Sequence, residues 1–72
     1  MFIHVVDANA DSCLYNVNSF EKIYTDNKAI KATAEKSGNI ITLGVFASIF
    51  ARDAKLLALT SAIENGDTFF SM

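Results

Sequence analysis

The chain has 72 residues, of which 51% are hydrophobic and 19% are charged, with a formal net charge of −2 and an isoelectric point near 5.0. This length predicts a single domain over residues 1–72, and the apolar content is too high for a disordered chain. The lysine and arginine residues are scattered singly. This scatter argues against a duplex-binding protein, because such proteins carry a clear positive surface.

Five short segments have the composition of β-strands, at residues 1–6, 13–17, 22–25, 29–34 and 40–43. The first carries apolar residues on both of its alternating sides, which is typical of a strand inside a sheet. Asn, Asp and Ser dominate residues 7–12, and Asp26-Asn27-Lys28 separates two later strands, so both places favour tight turns. The pattern predicts a small, bent antiparallel sheet of four or five strands.

Residues 48–66 are predicted to form one long C-terminal helix that lies across this sheet, so the predicted fold class is α+β. Ser48 is a suitable N-cap, because its hydroxyl oxygen can accept a hydrogen bond from the first turn. Gly66 can adopt the left-handed conformation that ends a helix. Good helix formers dominate between them, with neither Pro nor Gly.

This helix presents two apolar stripes when its side chains are placed at about 100° per residue. The stripe assigned to the sheet consists of Ile49, Leu56, Leu59 and Ile63. The other consists of Phe50, Ala54, Leu57 and Ser61. A helix that is apolar nearly all round is buried on more than one side. The second stripe is therefore expected to be covered by the chain's own end, a second copy or a different protein.

Two adjacent phenylalanines near the C-terminal end are expected to be docked, either on the domain or across an interface, because free ends are normally loose and polar. Combined with the second helix stripe, they define the predicted interface: Phe50, Ala54, Leu57, Ser61, Phe69 and Phe70. A small chain buries a modest fraction of its surface, so the predicted partner is a second copy in a homodimer. A host protein is the alternative partner.

No catalytic, metal or phosphate-binding motif is present, so the chain is predicted to be neither an enzyme nor a cofactor-binding protein. A catalytic role for His4 would require Cys13 or an Asp such as Asp7 to lie beside it. Cys13 is the only cysteine, which favours a reducing compartment and hence the cytoplasm. No signal peptide is evident, and no apolar run approaches the roughly 20 residues of a membrane span.

Three segments carry a resemblance to a known group: residues 15–24 (YNVNSFEKIY), 41–48 (ITLGVFAS) and 54–57 (AKLL). In this order they resemble small β-sheet-plus-helix proteins of Gram-positive bacteria and their prophages. These proteins are mostly uncharacterised and have no agreed activity, so the resemblance implies the fold. Their origin is the basis for expecting an accessory or inhibitor protein of a phage or mobile element. The chain departs from the group at Ile49 and Phe50, where a charged helix start is usual, and at Phe69-Phe70.

The function predicted from these features is that of a non-enzymatic, self-associating protein-interaction module. The alternative is a small nucleic-acid-binding regulator that acts as a dimer, because the bend and hairpin also resemble the strand region of LytTR-type DNA-binding domains. In that case the contacts would come from Lys22, Lys28, Lys31 and Lys36.

Overall fold

The structure is a computed structural model that describes residues 1–7 and 9–72, and within these the chain forms six strands and one α-helix. The strands are β1 (Phe2–Val6), β2 (Ser12–Asn16), β3 (Phe20–Asp26), β4 (Ala29–Ala34), β5 (Ile40–Val45) and β6 (Phe69–Ser71). The helix, α1, spans Ile49–Glu64. The α+β class is therefore confirmed. Ala8, in the predicted first turn, lies outside the described residues.

The single sheet of four or five strands predicted from the sequence is wrong. The described strands form two three-stranded sheets, which we call sheet A (order β2-β1-β6) and sheet B (order β3-β4-β5). Sheet B is an antiparallel meander, whereas β6 runs parallel to β1 in sheet A. The expectation that the first strand lies inside a sheet is confirmed, because β1 is central in sheet A.

The division into two sheets arises at the end of β2, where a 3₁₀ turn (Val17–Ser19) redirects the chain. The Asn16 side-chain oxygen accepts a hydrogen bond from the Asn18 backbone N–H at 3.0 Å, and the Ser19 hydroxyl donates to the Asn16 carbonyl at 2.6 Å. Such local bonds compete with strand pairing. The chain therefore leaves sheet A here and begins sheet B with Phe20.

Both ends of α1 are closed by the residues that the sequence indicated. The Ala51 backbone N–H donates to the Ser48 hydroxyl oxygen at 3.0 Å, so Ser48 is the N-cap. At the other end Gly66 has φ of +72°. The Gly66 N–H donates to the Ile63 carbonyl at 3.1 Å and the Asp67 N–H to the Ala62 carbonyl at 3.0 Å. This pair of bonds is a Schellman motif.

We expect Ser48→Ala to lower the free energy of unfolding by about 1 kcal/mol, because a helical N–H loses its acceptor. Ser48→Asn retains a side-chain oxygen at the same place and serves as the control. Urea unfolding followed by circular dichroism measures both variants. Equal stability of Ser48→Ala and Ser48→Asn would show that the cap contributes nothing.

The core lies where both sheets meet α1. Its fully buried large side chains come from four elements: Ile3, Ile30, Leu43 and Leu59. Leu43 sits where the β4–β5 register shifts, between the pairs Ile30–Gly44 and Lys31–Thr42. An extra residue of this kind re-aims a side chain, and the Leu43 side chain is buried.

Candidate interaction surface

The inward face of α1 differs in part from the stripe that the sequence assigned to it. Leu59 is buried and Leu56 is half-buried, as expected, but Ile49 and Ile63 are exposed at their ends of the helix. Ala62, which belongs to neither predicted stripe, is buried instead. The helix is therefore rotated relative to the expected orientation.

Two basic residues contribute to this rotation. The Arg52 guanidinium donates to the Asn27 carbonyl at 2.6 Å, which ties the first turn of α1 to the β3–β4 turn. The Lys55 ammonium lies 5.4 Å from the centre of the Phe70 ring. Both residues are partly buried, and their charged ends contact groups outside the helix. Arg52 and Lys55 thus belong to the inward face with Leu59 and Ala62.

The opposite side of α1 carries the second stripe, which we call the outward stripe: Phe50, Ala54, Leu57 and Ser61. All four residues are exposed, with 84% of Phe50 and 68% of Leu57 accessible to solvent. Leu59 and Ala62 lie about half a turn away around the helix. Phe50 and Leu57 therefore point away from both sheets, and the chain's own C-terminal segment does not cover them.

The two C-terminal phenylalanines lie in β6, in register with Phe2 and Ile3 of β1. Phe70 is half-buried and packs against the core, whereas Phe69 is 53% exposed. The Phe69 ring stacks on His4 with 6.3 Å between centroids. The structure therefore brings together the four helix residues of the predicted interface but separates them from these two rings.

Sequence reasoning missed a second exposed apolar group, on the face of sheet A that carries Phe69. The register places Phe2, His4 and Val6 of β1 on this face with Leu14 of β2. Phe2, Val6 and Leu14 are each about half exposed. Period-two alternation in β1 contained this signal, but apolar residues on both sides of the strand concealed which side faces solvent.

His4 and Cys13 do not meet, although the first hairpin brings their strands together. In the β1–β2 register His4 pairs with Leu14 and Val5 pairs with Cys13. Successive side chains of a strand point to opposite faces, so His4 and Cys13 lie on opposite sides of sheet A. The His4 Nδ1 atom instead lies 3.3 Å from the Ser71 hydroxyl oxygen. Among residues 1–7 and 9–72, no three His, Cys, Asp or Glu side chains cluster as a metal site would require.

Cys13 lies in a cleft of about 570 Å³ between the β1–β2 hairpin and β5. Tyr15 and Asp7 line the same cleft. One carboxylate oxygen of Asp7 accepts backbone hydrogen bonds from Asn9 at 2.8 Å and Asp11 at 3.0 Å, so Asp7 organises the hairpin turn. The Cys13 thiol raises the pKa of Tyr15 above its ordinary value, with smaller contributions from partial burial and from Asp7.

We expect Cys13→Ala to lower the pKa of Tyr15 towards that of a free tyrosine, because the substitution removes the largest cause of the increase. Both proteins would carry Tyr24→Phe, so that the ultraviolet absorbance of tyrosinate reports Tyr15 alone. A raised pKa in the fold stabilises it below about pH 10, and this contribution is lost as the pH rises through the folded pKa. An unchanged titration curve would show that the Cys13 thiol does not affect the pKa of Tyr15.

The four lysines of the alternative nucleic-acid interface are only partly brought together. Lys22 and Lys31 lie on one face of sheet B, since Lys22 pairs with Thr33 and Lys31 with Tyr24. The Lys22 ammonium lies 5.0 Å from the centre of the Tyr24 ring. The Lys31 ammonium lies 2.7 Å from an Asp26 carboxylate oxygen, and this hydrogen bond raises the pKa of Lys31.

The remaining two lysines flank β4 at opposite ends. Lys28 precedes Ala29–Ala34 and Lys36 follows it. Six strand residues span roughly 20 Å at about 3.3 Å per residue. A single copy therefore presents Lys22 and Lys31 together, with Lys28 and Lys36 at either end of the sheet.

The helix of the described residues is too short and too polar to cross a membrane. No protein-family model matches the chain, and no significant similarity was found to a curated protein or to a solved structure.

Proposed function

We propose that the chain is a non-enzymatic protein-interaction module that associates with a second copy of itself through the outward stripe of α1. The observation that carries the proposal is the exposure of Phe50 and Leu57, at 84% and 68%, on the side of the helix remote from both sheets. Aromatic and aliphatic side chains exposed together on one face commonly mark a protein-binding surface.

The other exposed apolar side chains form less continuous candidate surfaces than the outward stripe does. Around His4 the half-exposed Phe2, Val6, Leu14 and Phe69 are interspersed with polar Ser12, Asn16 and Ser71, and the Phe69 ring stacks on His4. Val45 and Ile40 stand at the two ends of β5 rather than side by side. On α1, by contrast, Phe50 and Leu57 are separated by about two helical turns and joined by the small residue Ala54.

Sedimentation equilibrium between low and high micromolar concentrations tests self-association. We expect a reversible shift from a particle of 7.8 kDa towards twice that mass. Most of the association should persist at high salt, because no charged side chain belongs to the outward stripe and apolar burial is not screened by salt. A particle of 7.8 kDa at every concentration would overturn the proposal.

An accessory or inhibitor role in a phage or mobile element is the biological setting we propose for such a module. It is supported only by the resemblance of residues 15–24, 41–48 and 54–57 to the small prophage proteins. A cytoplasmic location fits the exposed thiol of Cys13, which lacks a second cysteine in the sequence.

A nucleic-acid-binding regulator is the second candidate, and the shared face of Lys22 and Lys31 is the observation that favours it. The Asp26–Lys31 ion pair and the net charge of −2 count against it. A mobility-shift titration with duplex DNA at low and physiological salt compares the two candidates. Tight, salt-dependent binding that is lost in Lys22→Ala would favour the regulator.

A further inference from the structure

The outward stripe alternates large and small side chains: Phe50, Ala54, Leu57 and Ser61. Successive members are separated by four, three and four residues, a spacing that reads the same in either direction along the helix. When the direction of the helix is reversed, each large residue takes the position that a small residue held before: Phe50 exchanges with Ser61, and Leu57 with Ala54. A surface with this property is complementary to itself under a two-fold rotation.

We propose, on the basis of the self-association argued above, that two copies pack their α1 helices antiparallel about a two-fold axis midway between Ala54 and Leu57. Phe50 of each copy then faces Ser61 of the other, and Leu57 faces Ala54. Each large side chain enters the space left by a small one, as facing positions of a well-packed core do. A parallel pair would instead oppose Phe50 to Phe50 and Leu57 to Leu57, which leaves gaps at Ala54 and Ser61.

The charges near the ends of α1 favour the same arrangement. The first turn of the helix contains no acidic residue and the last turn no basic residue, while Glu64 ends the helix. A carboxylate is favourable near a helix N-terminus and unfavourable near a C-terminus. In the antiparallel pair Glu64 of each copy lies beside the N-terminal turn of the other, near Ser48. In a parallel pair the two Glu64 carboxylates would repel each other.

The contact is short, because Phe50 to Ser61 spans roughly 16 Å along the helix axis. Two Phe and two Leu side chains supply most of its apolar area, so the buried surface falls at the low end for specific interfaces. The dimer is therefore expected to dissociate in the micromolar range or above, and the test belongs at tens to hundreds of micromolar protein.

Cross-linking distinguishes antiparallel from parallel packing of the two α1 helices. Two variants are prepared, Ile49→Cys and Ser61→Cys, both in a Cys13→Ser background and one of the two with an affinity tag. They are mixed at high concentration and treated with a short bismaleimide. The antiparallel pair places position 49 opposite position 62 of the second copy and separates the two Ser61 positions by on the order of 16 Å. We expect mixed cross-links between the two variants, and few links between two Ser61→Cys chains.

Glu64→Gln gives opposite results for the two orientations. In the antiparallel dimer it removes an attraction to the second copy's N-terminal turn, so the dissociation constant should rise by about twofold to tenfold. In a parallel dimer it removes a repulsion and the dissociation constant should fall. Ser37→Ala, in the exposed β4–β5 turn, is the control and should leave the dissociation constant unchanged.

These outcomes separate this proposal from the proposed function. Self-links through Ser61→Cys, or tighter association of Glu64→Gln, would overturn the antiparallel arrangement while the dimer stands. Sedimentation of the parent chain as a monomer at every concentration would overturn both.

Discussion

Leu59→Ala is expected to lower the free energy of unfolding by about 2–5 kcal/mol, through lost apolar burial and the cavity left behind. Leu59 is 1% exposed and packs with Ile3, Ile30 and Leu43, so its side chain joins α1 to both sheets. A chain of this length has a total stability of roughly 4–11 kcal/mol. The loss is therefore a large fraction of the total stability, and the urea concentration at the midpoint of unfolding should fall markedly.

Leu57→Ala is the matched control, since it makes the same chemical change two residues away. Leu57 is 68% exposed, so its truncation in the monomer should cost less than about 1 kcal/mol. Urea unfolding at low micromolar protein, below the expected dimer range, compares the two variants without a contribution from association. Equal losses, or a larger loss for Leu57→Ala, would mean that α1 presents the other stripe to the sheets.

Leu57→Asp is expected to abolish self-association while the fold persists. Beside the proposed two-fold axis, the dimer would enclose two unpaired carboxylates in an apolar contact, and burying an unpaired charge is costly. We expect the dissociation constant to rise by roughly 100-fold or more. Sedimentation at high micromolar concentration measures the association, and circular dichroism verifies that the variant is folded.

Val45→Asp supplies the control for this charge substitution. Val45 is the last residue of β5 and is 73% exposed, so the variant loses a comparable exposed apolar side chain on a different surface. It should dimerise as the parent does. A dimer that survives Leu57→Asp but dissociates in Leu14→Asp would place the interface on the face of sheet A that holds His4 and Phe69.

Local features of the fold were readable from residues whose chemistry acts within a few positions. The helix ends follow from the Ser48 hydroxyl and from the positive φ of Gly66, both of which depend on adjacent backbone groups. The 3₁₀ turn that follows Asn16 likewise rests on local bonds, made by the Asn16 side-chain oxygen and the Ser19 hydroxyl. Such signals need no knowledge of distant contacts.

Features that depend on distant pairing were not readable. β6 has three residues, too few for a period-two pattern, and it exists because it pairs with β1 at the other end of the chain. The placement of His4 and Cys13 on opposite faces of sheet A depends on the β1–β2 register. A shift of one residue in that register would have put them on the same face.

The amino-acid sequence by itself determined that this chain has one long, capped helix with apolar side chains on two sides, because helical periodicity fixes their relative positions. Only the tertiary structure decided that Leu59 and Ala62 face the sheets while Phe50 and Leu57 face solvent. Rotation of a helix about its own axis is set by what packs against it, and here Arg52, Lys55 and the core residues of both sheets set it.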